Sequence, residues 1–199
     1  PSSDLRRELL REVTDVFFGA PAQAGSTELM LFDDVMSKLA GEMEAAVRAE
    51  LAERMADAPS PPNRLIRNLA ADTIDIAAPI LERSVALSDT DLVTLAGVKG
   101  QDHLRALSRR ANVSEALSDA IVERADDDTL KVLLQNDGAE LSRKSAEAAV
   151  DRATVNPALQ DAVVDRASLP IDLLNEMYFA VEARLRAKIM ERNAQVDPA

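Results

Sequence analysis

Short stretches with a helical spacing of apolar residues fill the middle of the chain. In NPALQDAVVDRA, Leu159, Ala162 and Val163 lie at i, i+3 and i+4 and form one apolar face. Asn156 followed by Pro157 is a typical helix start, because asparagine caps free N–H groups and proline lacks one. An isolated helix shorter than about 12 residues is marginal in water, so such helices must be stabilised by their neighbours. The same pattern predicts helices over 63–71, 73–84, 89–98, 101–111, 114–125, 128–136, 139–153 and 156–167.

One of these stretches is repeated. SEALSDAIVERA (114–125) and NPALQDAVVDRA (156–167) share seven of twelve residues and lie 42 residues apart. An arginine recurs at the end of such stretches in steps of 27, 14, 28 and 14 residues, and Gly97 and Gly138 occupy the two positions that these steps skip. Since glycine often ends a helix, the repeating unit is predicted to be one helix with its turn. The arginines are Arg83, Arg110, Arg124, Arg152 and Arg166.

The two ends of the chain carry longer apolar stripes. Residues 3–18 predict an amphipathic helix, and residues 26–57 predict a long helix that Gly41 is placed to divide. A third long helix is predicted over 171–193. The stripes consist of Leu5, Leu9, Val13 and Phe17 in the first helix, Phe32, Met36, Leu39, Met43, Val47, Leu51 and Met55 in the second, and Leu174, Tyr178, Val181, Leu185 and Ile189 in the third.

These elements predict an all-α fold. A period of about 40 to 47 residues made of two or three helices is typical of HEAT and armadillo solenoids, which are α-α superhelices of short helices. We expect residues 1–61 to form a long-helix segment that packs on the repeats. Residues 62–199 are expected to form the repeat array with a C-terminal capping helix, because a solenoid must cover its last exposed faces.

Composition narrows the range of partners. The formal net charge is −12, which repels phosphate backbones and anionic lipids, so we expect neither nucleic acid nor a membrane as partner. The chain has no cysteine, which excludes thiolate chemistry and fits a reducing cytoplasm. No stretch reaches the roughly 18 apolar residues of a membrane span. Because the chain begins with Pro1, we expect a longer native protein that extends past Ala199.

Three phrases carry a resemblance. LIRNLA (65–70), IAAPIL (76–81) and GQDHLRALSRR (100–110) are similar to a bacterial domain-of-unknown-function family of HEAT/armadillo-like helical-repeat proteins, over roughly residues 9–145. The resemblance implies a helical superhelix in the bacterial cytoplasm. It implies no activity, cofactor or catalytic residue.

The repeated arginines are the most distinctive polar positions. Arg124 and Arg166 follow apolar residues at i−4 and i−3, and no acid lies at these spacings to pair with them inside the helix. Two roles are open. In a structural ladder they contact C-terminal carbonyl groups, or Asp119 and Asp161 of adjacent units. In a binding role they form a concave row for an acidic partner peptide, made of Arg83, Arg110, Arg124, Arg152 and Arg166.

His103 is the only histidine and has two interpretations. It is either a structural or capping residue in a first helical turn, or a phosphoacceptor whose neighbours in GQDHLRALSRR include several arginines. One histidine makes no metal site unless several carboxylates converge on it, and the sequence has no nucleophile elbow to support a Ser-His-Asp triad. Asp33 and Asp34 point about 100° apart on a helix, which indicates a solvated edge rather than a catalytic pair. We therefore expect no cofactor, metal or catalytic residue.

The sequence favours a noncatalytic interaction scaffold that binds a protein or peptide on the groove of a helical solenoid. The alternative is a bacterial signalling or phosphotransfer regulatory element centred on His103. We also expect a homodimer through the N-terminal helices. The stripes at 5–17 and 29–55 offer more apolar surface than a thin solenoid covers.

Overall fold

The fold is helical throughout the part that the computed structural model describes, which is residues 3–19, 26–179 and 181–196. Within these ranges every regular element is a helix, as predicted, and the strand-like pairing is one isolated parallel bridge between Val113 and Ala139. The helices are α1 (Ser3–Gly19), α2 (Ser26–Gly41), α3 (Ala45–Ala56), α4 (Asn63–Ala70), α5 (Ile74–Arg83), α6 (Asp89–Val98), α7 (Gln101–Leu107), α8 (Glu115–Arg124), α9 (Asp127–Leu134), α10 (Arg143–Val155), α11 (Pro157–Asp165), α12 (Ile171–Glu176) and α13 (Ala183–Val196).

The predicted helix starts are confirmed by their caps. The backbone N–H of Leu117 donates to Ser114 Oγ at 3.2 Å, and that of Ala158 donates to Asn156 Oδ1 at 3.0 Å. Pro157 is the first residue of α11. These bonds satisfy N–H groups that have no partner within the helix.

The predictions for the long helices at the two ends of the chain have different outcomes. Residues 26–57 divide after Gly41 into α2 and α3, as predicted. The single helix predicted over 171–193 is wrong, because the chain forms α12 and α13 with a turn between them. Met177 and Val181 are both buried. The turn lets α13 contact both α11 and α12, which one straight helix would not allow.

The described residues form two compact units, one ending at Asp91 and the other beginning at Leu92, so the boundary falls within α6. In unit 1, α3 packs along α5, α2 packs against α4, and α4 contacts α3 and α5. The separate role predicted for residues 1–61 remains a prediction. The core of unit 1 contains Met36, Leu51, Met55, Leu65, Ile66, Leu69, Ile76, Ile80 and Leu81.

Unit 2 contains two series of helices. In the first series α7 contacts α9, α9 contacts α11, and α11 contacts α13. In the second series α8 contacts α10, and α10 contacts α12. Pairs that are consecutive in the chain, such as α10 and α11, connect the two series. Aliphatic side chains fill the core, among them Leu104, Leu107, Leu117, Ile121, Leu130, Leu133, Leu159, Val163 and Leu174.

Candidate functional site

The repeated arginines of unit 2 donate to backbone carbonyl groups at the ends of earlier helices. Arg124 Nη1 donates to Lys99 O at 2.8 Å and also to Ala96 O, both at the end of α6. Arg152 Nη1 donates to Ala125 O, just after α8, at 2.9 Å. The last carbonyl groups of a helix lack partners within it and carry partial negative charge. A guanidinium group therefore both satisfies and stabilises them.

Arg166 is the most deeply buried of these arginines, with 3% of its surface exposed. Its Nη1 donates to Leu134 O at 2.8 Å and to Asn136 O at 2.9 Å, and its Nη2 donates to Ala139 O. Burial lowers the pKa of Arg166, while the charge of nearby Asp137 acts in the opposite direction. Arg166 thus holds the end of α9 and the turn that follows it.

Arg192 of α13 repeats this arrangement, although the sequence did not single it out. Its Nη1 donates to Val164 O at 3.0 Å and Arg166 O at 3.2 Å, and its Nη2 donates to Ala167 O at 3.1 Å and Leu169 O at 3.2 Å. Arg192 lies 26 residues after Arg166, close to two repeating units, but it lacks the Arg-Ala ending that marked the others. We call Arg124, Arg152, Arg166 and Arg192 the capping arginines.

Each capping arginine connects its helix with the second helix before it in the chain. Each reaches back over 23 to 33 residues, which corresponds to about two of the units identified in the sequence. The contacts run from the end of α8 to α6, from α10 to α8, from α11 to α9, and from α13 to α11. The structural ladder considered for these positions is therefore present at Arg124, Arg152 and Arg166.

Arg83 and Arg110 have other surroundings. Arg83 lies in unit 1, where it donates to Glu53 Oε1 at 2.7 Å and to Asp57 Oδ1 at 3.1 Å. Arg110 is half-buried in the turn after α7, and burial lowers its pKa. The structure does not bring the five predicted arginines into one kind of contact. A partner-binding role for them remains a prediction.

Polar side chains other than arginine also hold helix ends in unit 2. Asn136 Nδ2 donates to Ser108 O at 2.8 Å and to Arg110 O at 2.7 Å, and Gln101 Nε2 donates to Arg124 O at 2.8 Å. Asn136 and Gln101 do not recur at the period of the arginines. No pattern in the sequence therefore pointed to them.

Carboxylates of unit 2 accept hydrogen bonds from side chains near the helix ends. Asp127 Oδ2 accepts from Asn156 Nδ2 at 2.6 Å, and Asp127 Oδ1 accepts from Arg152 Nε at 2.9 Å. The hydrogen bond from Asn156 and then that from Arg152 lower the pKa of Asp127. Asp119, considered above as a partner for arginine, instead accepts from the hydroxyl groups of Ser142, at 2.6 Å, and Ser145.

His103 lies in the first turn of α7 and is half-buried. Its backbone N–H donates to Gly100 O at 3.1 Å. This position agrees with the first-turn placement expected from the sequence. Its role as a phosphoacceptor remains a prediction.

Asp33 has a structural role in unit 1 that the sequence interpretation missed. Its carboxylate accepts from the backbone N–H groups of Arg64 and Leu65, each at 2.8 Å. Pro62, which precedes α4, supplies no side-chain cap, so Asp33 caps that helix from α2. The solvated edge expected at Asp33 is therefore wrong. Asp34 pairs with Arg64 at 2.7 Å.

Shallow cavities lie in both units. A cavity of 210 Å³ lies between α9 and α11, and its lining includes Asp137, Asp161, Asp165 and Arg166. In unit 1, a cavity of 350 Å³ is lined by residues that include Arg48 and Asp72. Over residues 3–19, 26–179 and 181–196, no group of three or more His, Cys, Asp or Glu side chains is placed to hold a metal ion.

Comparison with protein families assigns the chain to one family. The model of the family described as "Uncharacterised protein conserved in bacteria (DUF2336)" matches residues 76–199. The chain belongs to this family. The match confirms the predicted bacterial domain-of-unknown-function family, but over a different range, because the family match excludes LIRNLA and continues past 145. Searches of the curated proteins and of the solved structures found no match.

None of the helices among the described residues is both long enough and apolar enough to cross a membrane.

Proposed function

We propose that this chain is a noncatalytic scaffold of the bacterial cytoplasm, which binds a protein or peptide on the exposed groove of a HEAT- or armadillo-like solenoid. The single observation that carries the proposal is the recurring contact of an arginine with carbonyl groups at the end of the second helix before it. The carbonyl group lies 25 to 28 residues before the arginine in three cases, Arg124 to Lys99, Arg152 to Ala125 and Arg192 to Val164. For Arg166 the separation is 27 to 33 residues. Helices that contact mainly their neighbours in a series are typical of solenoids.

A solenoid suits this function because its helices present side chains in line. An extended segment of a partner can contact several repeats at once, and each repeat adds part of the binding energy. The shallow cavities described above fit this type of recognition better than they fit an enclosed reaction site.

The charge of the partner follows from how the arginines are used. The capping arginines already donate to carbonyl groups, so an acidic peptide would have to displace existing hydrogen bonds. Carboxylates recur instead at exposed positions of both series, and complementary charge favours specific association. We therefore propose a partner segment with basic side chains. The exposed carboxylates are Glu123, Asp151 and Glu176 in the α8–α10–α12 series, and Asp128, Asp161 and Glu191 in the α9–α11–α13 series.

Site-specific photo-crosslinking in the native bacterium tests the scaffold directly. A photoreactive residue is placed at each of these six positions, one variant at a time, and captured proteins are identified by mass spectrometry. We expect all three positions of one series to capture the same protein, while the other series serves as the matched control. Capture at one isolated position, or at none, would contradict binding along a series of repeats.

A charge test follows from the same positions. Reversal of the three carboxylates in the capturing series to lysine should abolish capture, because the basic partner would then meet like charges. Reversal in the other series should leave capture intact. Stronger capture after reversal in the capturing series would show that the partner segment is acidic.

A further inference from the structure

Helix α1 of unit 1 exposes an apolar stripe. Leu5, Leu9 and Val16 are between 48% and 71% exposed. They lie nearly on one line of the helix, about 140° around the axis from Leu10 and Thr14, which are both buried. We call Leu5, Leu9 and Val16 the α1 stripe. It faces away from the side on which α1 is packed.

Ion pairs with α3 determine which side of α1 faces outward. Arg7 Nε and Arg11 Nε contact the carboxylate of Glu50 at 3.1 Å and 2.6 Å, and Arg54 pairs with Asp15. The α1 stripe cannot turn inward without breaking these contacts. Its exposure is therefore a consequence of how the helix is attached.

Unit 1 also contains an apolar groove of 380 Å³. Leu29 and Met30 of α2, together with Val85 after α5, line it and are between 38% and 74% exposed. Pro59, Pro61 and Pro62 form another part of the wall. Proline has no N–H to donate, so this wall favours apolar side chains over an added strand. We call this cavity the α2 groove.

We propose that the α1 stripe of one copy of this chain binds in the α2 groove of a second copy, and that the second copy returns the same contact. An amphipathic helix in an apolar groove is a common mode of recognition. Because the helix and the groove belong to the same chain, a two-fold axis forms both contacts at once. This proposal does not depend on the scaffold function.

The area available supports a second copy as the occupant. Glu12 interrupts the line between Leu9 and Val16, so the stripe alone is small. The exposed parts of the stripe, with Leu29, Met30 and Val85, amount to roughly 700 Å² of apolar surface on each chain, close to the about 800 Å² that each partner buries in a standard interface. One such contact would bury only about half of this, so reciprocal docking is needed to reach it.

Charge sets the conditions for association. Each chain carries a net charge of −12, and two like-charged copies repel one another over a distance that salt shortens. The apolar contact itself is not weakened by moderate salt. Dimerisation should therefore strengthen as the salt concentration rises from about 20 mM to about 300 mM.

Sedimentation velocity over a concentration series tests the dimer. Val16→Glu and Met30→Glu each place a charge in the proposed contact, and each should weaken the dimer by roughly tenfold or more. Val155→Glu is the matched control, since Val155 is highly exposed but lies in α10 of unit 2. Circular dichroism checks that each variant keeps its helix content. A monomeric wild-type chain, or equal weakening by Val155→Glu, would overturn the proposal.

Cysteine cross-linking tests which surfaces meet. The chain has no cysteine, so single variants Leu9→Cys and Met30→Cys each carry one thiol. When the two variants are mixed with a short thiol cross-linker, we expect a dimer that contains one chain of each kind. Cross-linking of Leu9→Cys only to itself would show that α1 packs on α1 and would refute docking in the groove. A mixture that yields no cross-linked dimer would refute it too.

Discussion

Removal of the Arg166 guanidinium group is the sharpest test of the capping arginines. Arg166→Met keeps an unbranched apolar side chain of similar length but removes every donor. The wild-type side chain is 3% exposed and donates to Leu134 O, Asn136 O and Ala139 O. In the variant these carbonyl groups lose their donor in a place that water reaches poorly.

The magnitude follows from two opposing contributions. Each hydrogen bond from a charged donor contributes about 1.5–3 kcal/mol, and each buried carbonyl group left without a partner costs about 1–3 kcal/mol. Burial of the guanidinium group in the wild type costs several kcal/mol, which the variant recovers. We therefore expect a net loss of about 3 kcal/mol in the free energy of unfolding, well below the sum of three separate bonds.

Thermal and urea denaturation measure this loss. For a chain of this size, about 1 kcal/mol corresponds to about 2–4 °C in Tm, so the transition of unit 2 should fall by about 6–12 °C. Hydrogen exchange should accelerate in α9 and α11, which Arg166 connects. Arg83→Met is the control, because Arg83 makes exposed ion pairs in unit 1 that contribute at most about 1 kcal/mol.

Arg166→Lys separates charge from geometry. Lysine retains the positive charge but lacks the planar fork that reaches several carbonyl groups. The free energy of unfolding of Arg166→Lys should therefore lie between those of the wild type and Arg166→Met. If Arg166→Met instead unfolds within about 0.5 kcal/mol of the wild type, and exchange in α9 and α11 is unchanged, the carbonyl groups do not depend on Arg166. The structural role assigned to the capping arginines would then be wrong.

Further predictions concern a carboxylate and two glycines. The pKa of Asp127 is lowered chiefly by the hydrogen bond from Asn156, so Asp127 stabilises unit 2 above its unfolded pKa and loses this effect as pH falls through the folded pKa. Asp127→Asn should therefore lower the free energy of unfolding at pH 7 and flatten the decline of this free energy below about pH 4. Urea titrations at several pH values measure both effects, and a decline as steep as in the wild type would contradict this. An added Cβ at Gly138 would lie 2.0 Å from Ala111 O, so Gly138→Ala should cost about 1–3 kcal/mol in thermal denaturation. Gly97→Ala, within α6 and with nothing within 4 Å of the added Cβ, should instead stabilise by about 0.5–1 kcal/mol, and equal effects at both glycines would refute the steric argument.

Much of the helical content could be predicted because its signals are local. The caps at Ser114 and Asn156 and the apolar spacing within each stretch involve residues only a few positions apart. The division after Gly41 is local in the same way. The period of the arginines also led to three of the capping arginines, because each repeating unit places its arginine at a similar point near the end of a helix.

The contacts of these side chains could not be predicted in the same way. The sequence left Arg166 with two roles, and only the fold places it on carbonyl groups 27 to 33 residues earlier. Asp33 caps a helix whose first residues lie 31 and 32 positions away. The break between α12 and α13 contains neither glycine nor proline, so local signals favoured one continuous helix. The turn between the two helices is a feature of the folded chain, in which Met177 and Val181 are both buried.

The sequence by itself therefore determined that the chain is helical, where most of its short helices begin, and which arginine positions recur. The tertiary structure decided which side of α1 is exposed, where the C-terminal helix breaks, and which groups the arginines hold. The physical reason is the range of the interactions. Helix periodicity and capping act within about one turn, whereas a side chain finds a distant carbonyl group or apolar surface only after packing has brought the helices together.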